Sequence, residues 1–191
     1  GATKLTAINK NLEQMAFGTY EQFSFPGWNN ETVHGYVIKP ANYVEGKKYP
    51  VAFLIHGGPQ GAWSDNWGYR WNPQIFSNQG YVVFMPNPRG STGYGKSFGN
   101  AINNAYPGQD YDDLMAAVDA VVARGCVDEQ QLYVYGGSGG GVLTAWIVGH
   151  TDRFAAASSN CPVTNWMSFV GTTDSPGWYR NFAKPFWEDP S

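Results

Sequence analysis

The strongest candidate for chemistry in the sequence is a serine flanked by glycines. Residues 136–140 read Gly-Gly-Ser-Gly-Gly, a G-x-S-x-G pattern centred on Ser138. A predicted strand over residues 132–135 precedes the pattern, and a predicted apolar helix begins at Val142. A sharp strand-to-helix turn exposes the serine hydroxyl at the start of a helix, where free N–H groups favour negative charge. We therefore predict that Ser138 is a nucleophile rather than part of a phosphate-binding P-loop, whose Gly-Lys-Ser/Thr is absent.

A second glycine-rich segment predicts the groups that would stabilise an oxyanion. Residues 56–59 read His-Gly-Gly-Pro and directly follow a continuous apolar run over residues 51–55. In a fold with this nucleophile turn, the loop after that strand donates one N–H, and the residue after the serine donates another. The sequence thus predicts Gly58 and Gly139 as oxyanion-hole residues. We interpret His56 as a loop-ordering residue, because the general base of this arrangement follows the nucleophile in the chain.

A third loop, over residues 87–95, reads Asn-Pro-Arg-Gly-Ser-Thr-Gly-Tyr-Gly and follows the apolar run 81–85. The carboxyl ends of parallel strands share one edge of the sheet, so this loop is predicted to lie on the same side as Ser138. We interpret Arg89 as a structural residue that ties loops together. Binding of a substrate carbonyl or carboxylate is the alternative.

The elements that must position these residues indicate an α/β fold. Three apolar runs, at residues 51–55, 81–85 and 132–135, have the character of strands buried on both faces, as in a parallel sheet covered by helices. Further strands are predicted at 20–25 and 33–38, which pair as an antiparallel hairpin, and at 154–159. Helices are predicted at 110–124, with Asp110 and Asp113 capping its start, at 142–148, buried nearly all round, and at 165–170. Leu5, Ile8, Leu12 and Met15 predict a short amphipathic helix packed on a neighbour.

Composition excludes several classes of protein. The 191 residues carry 12 basic and 15 acidic side chains, a net charge of −3, with no basic block. This pattern argues against a nucleic-acid partner, and no apolar run is long enough to predict a membrane span. The two cysteines, Cys126 and Cys161, are predicted to be buried free thiols, since no Cys/His cluster indicates zinc.

Together these motifs resemble the catalytic domain of the prolyl oligopeptidase family of serine peptidases, in its acylaminoacyl-peptidase/dipeptidyl-aminopeptidase branch. The resemblance rests on four segments in order: residues 56–59, 87–95, 136–141 and 150–156, the last reading His-Thr-Asp-Arg-Phe-Ala-Ala. It implies an α/β-hydrolase fold, Ser138 as nucleophile, the N–H groups of Gly58 and Gly139 as oxyanion donors, and no metal or organic cofactor. The chain departs from the pattern at Gly139, where many members carry an aromatic or other large side chain.

The resemblance also implies residues beyond those just named. The triad Asp and His of the family follow the strand predicted at 154–159. The one histidine after Ser138 is His150, twelve residues on, about 18 Å along a helix axis and out of reach. We therefore expect residues 18–191 to form a partial catalytic domain that ends before its last strands. Residues 1–17 are expected to be an exit segment from an N-terminal β-propeller. The propeller and the C-terminal part of the same protein are the expected partners, with a homo-oligomer as a further possibility.

The function implied is a serine peptidase that hydrolyses short peptides through an acyl-enzyme. A carboxylesterase is the first alternative, because the same nucleophile turn hydrolyses esters. A catalytically inactive α/β-hydrolase module with a binding or assembly role is the second. Val163, Trp166 and Phe169 follow the last predicted strand, where the resemblance implies a substrate-pocket wall; ordinary core packing is the alternative for these side chains.

Overall fold

A computed structural model describes residues 1–188, and six strands form its single mixed sheet. The strands are Thr19–Pro26 (β1), Thr32–Lys39 (β2), Tyr49–Ile55 (β3), Val82–Asn87 (β4), Val127–Gly137 (β5) and Ala156–Asn160 (β6). They lie in the order β1-β2-β4-β3-β5-β6. β1 pairs antiparallel with β2, and β2 pairs antiparallel with β4, whereas all other pairs are parallel. The predicted hairpin and the parallel sheet are both confirmed.

Within residues 1–188, five α-helices connect or cover the strands. They are Gln74–Asn78 (α1), Lys96–Asn100 (α2), Gln109–Ala123 (α3), Gly139–His150 (α4) and Trp166–Thr172 (α5), and short 3-10 turns occur at Lys10–Gln14, Trp28–Asn30 and Pro176–Asn181. α3 buries Leu114, Val118 and Val121 completely, as the helical spacing of these residues predicts. α5 begins after Asn165, whose side chain accepts a hydrogen bond from the Ser168 N–H at 2.8 Å.

The sheet is buried on both faces at its centre. Alternate residues of β3 and β4, such as Phe53 and Phe84, point into the larger core beneath α3 and α4. Their neighbours Leu54, Val83 and Met85 form the smaller core on the opposite face. Continuous apolar runs are explained by this two-sided burial, because each successive side chain leaves the strand on the other face.

A buried ion pair joins three separate parts of the chain. Arg89, after β4, pairs with Asp113 of α3, and the two side chains are 1% and 0% exposed. Asp113 also accepts hydrogen bonds from the N–H groups of Arg89 and Trp28, both at 2.8 Å. Arg89 in turn donates to the Trp28 carbonyl and to Glu31, again at 2.8 Å each. The structure thus gives Arg89 the loop-tying role that we preferred. It also shows that the predicted helix cap by Asp113 is wrong, because this carboxylate serves the ion pair instead.

The predicted amphipathic helix near the N-terminus is also wrong. The structure has only the 3-10 turn Lys10–Gln14 there, and Leu5 and Ile8 are 89% and 85% exposed. A short helix depends on packing of its apolar face, and of this stripe only Leu12 is half-buried within the described residues.

Two burial predictions fail at the β6 side of the sheet. Cys161 is exposed, whereas Cys126 is buried as predicted. α4 is buried only on its inner face, because Trp146 and Val148 are 39% and 55% exposed. The exposure of Cys161 and of the outer face of α4 has one cause. Both lie next to β6, which forms an edge of the sheet and is exposed along its whole length.

Asp110 is a fully buried carboxyl group at the start of α3. Its Oδ1 accepts hydrogen bonds from the N–H groups of Gly108 and Tyr111 at 2.7 and 3.0 Å. Its Oδ2 has no hydrogen-bond partner in the part of the chain that the structure describes. Burial raises the pKa of Asp110 from 3.8 to about 6, because a charged carboxylate is disfavoured away from water.

This raised pKa predicts a pH-dependent stability. The folded chain holds the Asp110 proton more tightly than the unfolded chain, so the contribution of this group to stability is greatest at low pH. This contribution is lost as the pH rises from about 4 to above about 6. The free energy of unfolding should fall by about 2 kcal/mol between about pH 4.5 and about pH 7. We expect Asp110→Asn to remove that part of the pH dependence, measured by urea unfolding at several pH values. Asp112→Asn, on the exposed side of α3, is the control and should leave it in place.

The Arg89–Asp113 pair predicts a non-additive stability effect. Arg89→Met leaves a buried carboxylate without its cation and should cost about 3–5 kcal/mol of unfolding free energy. Arg89→Met combined with Asp113→Asn removes the charge while keeping an acceptor for the Trp28 N–H, and should cost clearly less. Urea unfolding of both variants tests this. A double variant that loses as much stability as Arg89→Met, or more, would contradict the buried pairing.

Candidate active site

Ser138 is a single residue that separates β5 from α4. Its backbone has φ 57° and ψ −118°, a conformation that non-glycine residues rarely adopt and that is typical of strained functional turns. The Ser138 N–H donates to the Asn160 carbonyl at 3.0 Å, and its own carbonyl accepts from the Val142 N–H at 3.0 Å. The side chain itself is exposed. The predicted strand-to-helix turn is therefore present, with its serine at the apex.

The two predicted oxyanion donors lie in direct backbone contact. A Cβ added to Gly139 would sit only 2.9 Å from the backbone N and C atoms of Gly58. A Cβ on Gly57 would lie 3.4 Å from the Ser138 Cβ, so the loop after β3 passes directly beside the nucleophile. The structure thus brings Ser138, Gly58 and Gly139 together at the N-terminus of α4. An oxygen that becomes negative there would meet backbone N–H groups and the positive end of a helix dipole.

The loop after β3 is held in place by the loop after β4. Asn87 is fully buried, and its amide clamps Trp63 by accepting from the Trp63 N–H at 2.7 Å and donating to its carbonyl at 3.0 Å. Buried Ser91 lies 2.8 Å from His56 Nε2. Sequence reasoning missed Asn87 and Ser91 as positioning residues. The feature that marks these two residues is their burial next to a glycine-rich loop, which becomes visible only in the tertiary structure.

His56 orders this loop, as we interpreted it. Its Nδ1 lies 2.8 Å from the Gly57 carbonyl, and its Nε2 lies against Ser91. Burial lowers the pKa of His56, because the charged imidazolium is disfavoured away from water. In the neutral ring, Nδ1 donates to the carbonyl and Nε2 accepts from the Ser91 hydroxyl. Both nitrogens are therefore engaged, and neither is available to Ser138.

The other two histidines also lie away from the nucleophile. His150 ends α4, where its ring stacks on Trp146 with centroids 3.9 Å apart and its Nδ1 lies 2.7 Å from the Trp146 carbonyl. His34, in β2, stacks on Tyr94 at 5.3 Å. Within residues 1–188, no side chain hydrogen-bonds to the Ser138 hydroxyl. Ser138 thus stands beside Gly58 and Gly139, and none of the three histidines is hydrogen-bonded to it within residues 1–188.

An aromatic cleft of about 320 Å³ opens beside Ser138. Trp63, Trp71 and Tyr135 line it together with the side chain of Arg70. Trp71 has φ 58° and packs so closely on the turn that a Cβ on Gly137 would lie 2.6 Å from its ring. The spacing of the two tryptophans in the sequence does not distinguish them from core residues, so sequence reasoning missed them.

The three predicted pocket residues do not line this cleft. Trp166 and Phe169 belong instead to an aromatic cluster with Trp178, and Trp166 also contacts Phe182 at a centroid distance of 4.9 Å. Val163 is half-buried between β6 and α5. The cluster reaches the turn through Tyr106, whose ring meets Trp166 edge-on at 6.4 Å. The cluster is therefore linked to Gly139, whose carbonyl binds the Tyr106 hydroxyl, and is separate from the cleft beside Trp71.

Among residues 1–188, no group of three or more His, Cys, Asp and Glu side chains is arranged to hold a metal ion. No helix in that range has the length and apolarity needed to cross a membrane.

Comparison with known proteins places this geometry in a family. A profile described as the prolyl oligopeptidase family matches residues 67–191. The dipeptidyl-peptidase 5 of Schizosaccharomyces pombe is 42% identical over 175 residues, which cover 90% of this chain and 26% of that protein. An uncharacterized peptidase of Bacillus subtilis, YuxL, is 38% identical over 173 residues, again 90% and 26% of the two chains. The chain thus spans about a quarter of the length of these curated relatives.

Solved structures give the same result. The acylaminoacyl peptidase of Pyrococcus horikoshii superposes with a TM-score of 0.87 at 25% identity, over 98% of this chain and 30% of that one. An acylaminoacyl peptidase in complex with Z-Gly-Gly-Phe-chloromethyl ketone superposes with a TM-score of 0.86 at 26% identity, over 97% and 30% of the two chains. The α/β-hydrolase fold of these neighbours is the fold observed here.

The contact between Gly139 and Gly58 predicts that a side chain added at position 139 displaces the Gly58 backbone. Gly139→Ala should push the Gly58 backbone away by a few tenths of an ångström and slow phosphonylation of Ser138 by a fluorophosphonate at least tenfold, because the oxyanion donors separate. The labelling rate, followed by intact mass on the full-length protein, measures this effect.

Gly149→Ala is the matched control on the same helix. A Cβ there meets no atom within 4 Å, so the variant should label at the normal rate and gain about 0.5–1 kcal/mol of stability. Equal labelling rates for the two variants would show that the Gly58 contact has no role in reactivity.

Proposed function

Because the chain belongs to the prolyl oligopeptidase family, we propose that it carries the nucleophile and the oxyanion hole of a serine peptidase. The proposal rests on one observation above all. Ser138 occupies a strained turn at the start of α4, and the Gly58 and Gly139 backbones touch beside it. The same placement of an exposed hydroxyl against backbone donors is what acyl transfer requires.

In the proposed reaction, Ser138 Oγ attacks the carbonyl carbon of the scissile peptide bond. A histidine, oriented by an aspartate, takes the hydroxyl proton, and the carbonyl oxygen becomes an oxyanion held by the N–H groups of Gly58 and Gly139. The C–N bond then breaks, and the histidine returns the proton to the leaving amine. Water hydrolyses the resulting acyl-enzyme ester by the same sequence of steps and frees Ser138.

We assign the triad histidine and aspartate to the part of the protein that follows Ser138 in family order and is not among residues 1–188. The coverage of the relatives supports this assignment, because the matched segment is only about a quarter of each relative. For the same reason we propose that a β-propeller and further catalytic-domain residues of the same protein complete the enzyme.

The proposed substrates are short peptides with an apolar or aromatic residue on the acyl side of the scissile bond. The aromatic cluster around Trp166 and Phe169, with Val163 beside it, lies on the Gly139 side of the nucleophile. We propose that it forms the acyl pocket. A related acylaminoacyl peptidase was solved with a peptide chloromethyl ketone that ends in phenylalanine, which is consistent with an aromatic acyl group.

Active-site labelling and kinetics of the full-length protein test the proposal. We expect a fluorophosphonate to label Ser138, and Ser138→Ala to lower kcat for a blocked peptide anilide by at least about 10⁴-fold. Ser97→Ala, an exposed serine of α2, is the control and should retain full activity.

Two outcomes would replace the proposal. Hydrolysis of a p-nitrophenyl ester without hydrolysis of the matching anilide would identify a carboxylesterase. A folded protein that is neither labelled nor active would identify an inactive module with a binding or assembly role.

A further inference from the structure

A tyrosine outside the proposed machinery contacts it directly. Tyr106 lies in the segment between α2 and α3, and its hydroxyl donates a hydrogen bond to the Gly139 carbonyl at 2.9 Å. Gly139 is the residue whose N–H is a proposed oxyanion donor. We propose that Tyr106 is a positioning residue of the oxyanion hole, which acts through Gly139 and links it to the acyl pocket. This inference rests on the proposed function.

The hydroxyl contact matters because residue 139 has no side chain of its own to hold it. A glycine has more backbone freedom than any other residue. Gly139 is also the first residue of α4, so its N–H has no hydrogen-bond partner within the helix. Two contacts restrain it from outside the helix. The Gly58 backbone packs on one side, and the Tyr106 hydroxyl binds its carbonyl. Loss of the second contact frees the residue to reorient its N–H.

The surroundings of Tyr106 keep its hydroxyl a donor. Burial raises the pKa of Tyr106, and the nearby carboxyl of Asp110 raises it further, because a tyrosinate would be a second negative charge in a site with little water. The phenol therefore stays protonated at every pH at which a peptidase of this kind is assayed. The hydrogen bond to Gly139 does not switch off in that range.

The ring of Tyr106 connects the oxyanion hole to the aromatic cluster. It meets Trp166 edge-on at 6.4 Å. It also lines a small cavity with Pro59, the residue after Gly58, and with Trp178 and Phe182 of the cluster. One side chain thus shares a cavity with the loop of the first oxyanion donor, binds the residue of the second, and contacts the proposed acyl pocket. An acyl group that seats against Trp166 would bear on the same tyrosine that holds Gly139.

Tyr106→Phe isolates the role of the hydroxyl, because the ring and its contacts remain. Removal of a whole oxyanion donor typically costs 10²–10³ in kcat. A donor that is loosened rather than removed should cost less, and we expect kcat for a peptide anilide to fall about tenfold, with KM changed less than twofold. The rate of Ser138 phosphonylation should fall by a similar factor, since the phosphonyl oxygen occupies the same hole.

Tyr111→Phe is the matched control. Tyr111 is a half-buried tyrosine of α3 that contacts the His150 ring at 6.0 Å and does not touch the turn. It should leave both rates unchanged. All variants are measured in the full-length protein at a temperature at which circular dichroism shows them fully folded.

The outcomes separate this inference from the proposed function. An active wild-type enzyme whose Tyr106→Phe variant keeps its kcat, or loses only substrate binding through KM, would overturn the positioning role and leave the peptidase intact. A wild-type protein that is not labelled at Ser138 would overturn the proposed function itself. A selective loss in kcat and in labelling rate, absent from Tyr111→Phe, would support the inference.

Discussion

The structure depends most on a backbone-to-backbone contact at the ends of β3 and β5. The loop after β3 and the first turn of α4 pack so closely that a Cβ on Gly139 would meet the Gly58 backbone at 2.9 Å. One step further along α4, a Cβ on Gly140 would overlap the carbonyl of Ile55. This contact sets how far α4 sits from the sheet, and therefore where Ser138 stands. It also brings the backbones of the two proposed oxyanion donors, Gly58 and Gly139, side by side without the use of any side chain.

Rigid surroundings make such a contact useful for catalysis. The backbone of Ser138 is strained, and strain of this kind persists only where neighbouring structure holds it. Here the neighbouring groups are polar and buried: Asn87 and Ser91 form hydrogen bonds to the loop that carries Gly58. The Arg89–Asp113 ion pair in turn anchors the loop after β4 to α3. The proposed oxyanion hole is therefore assembled before any substrate arrives, which is what electrostatic stabilisation of a transition state requires.

The two sides of the nucleophile differ in chemical character. On the Gly137 side, Trp71 and Arg70 border an open cleft, whereas on the Gly139 side Tyr106 leads into an aromatic cluster. In the proposed function, the cluster serves the acyl part of a peptide, and the cleft, lined by Trp63, Trp71, Tyr135 and Arg70, serves the remainder. His56 stays neutral between hydrogen-bond partners and adds no charge beside Ser138. Under the proposed function, binding preference in this segment thus depends on aromatic side chains, and reactivity on backbone groups.

The sequence by itself determined the central features, because they follow from local pattern. The apolar runs of β3, β4 and β5, the hairpin of β1 and β2, and the glycines around Ser138 each encode their structure within a few residues. Expectations that needed a distant partner fared worse. The stripe from Leu5 to Met15 has helical spacing, but most of its side chains are exposed, and Asp113 pairs with Arg89 from another part of the chain. Only the tertiary structure could assign positioning roles to Asn87, Ser91 and Tyr106, because their contacts join residues 24 to 35 positions apart, and no spacing rule in a single sequence encodes which distant groups will meet.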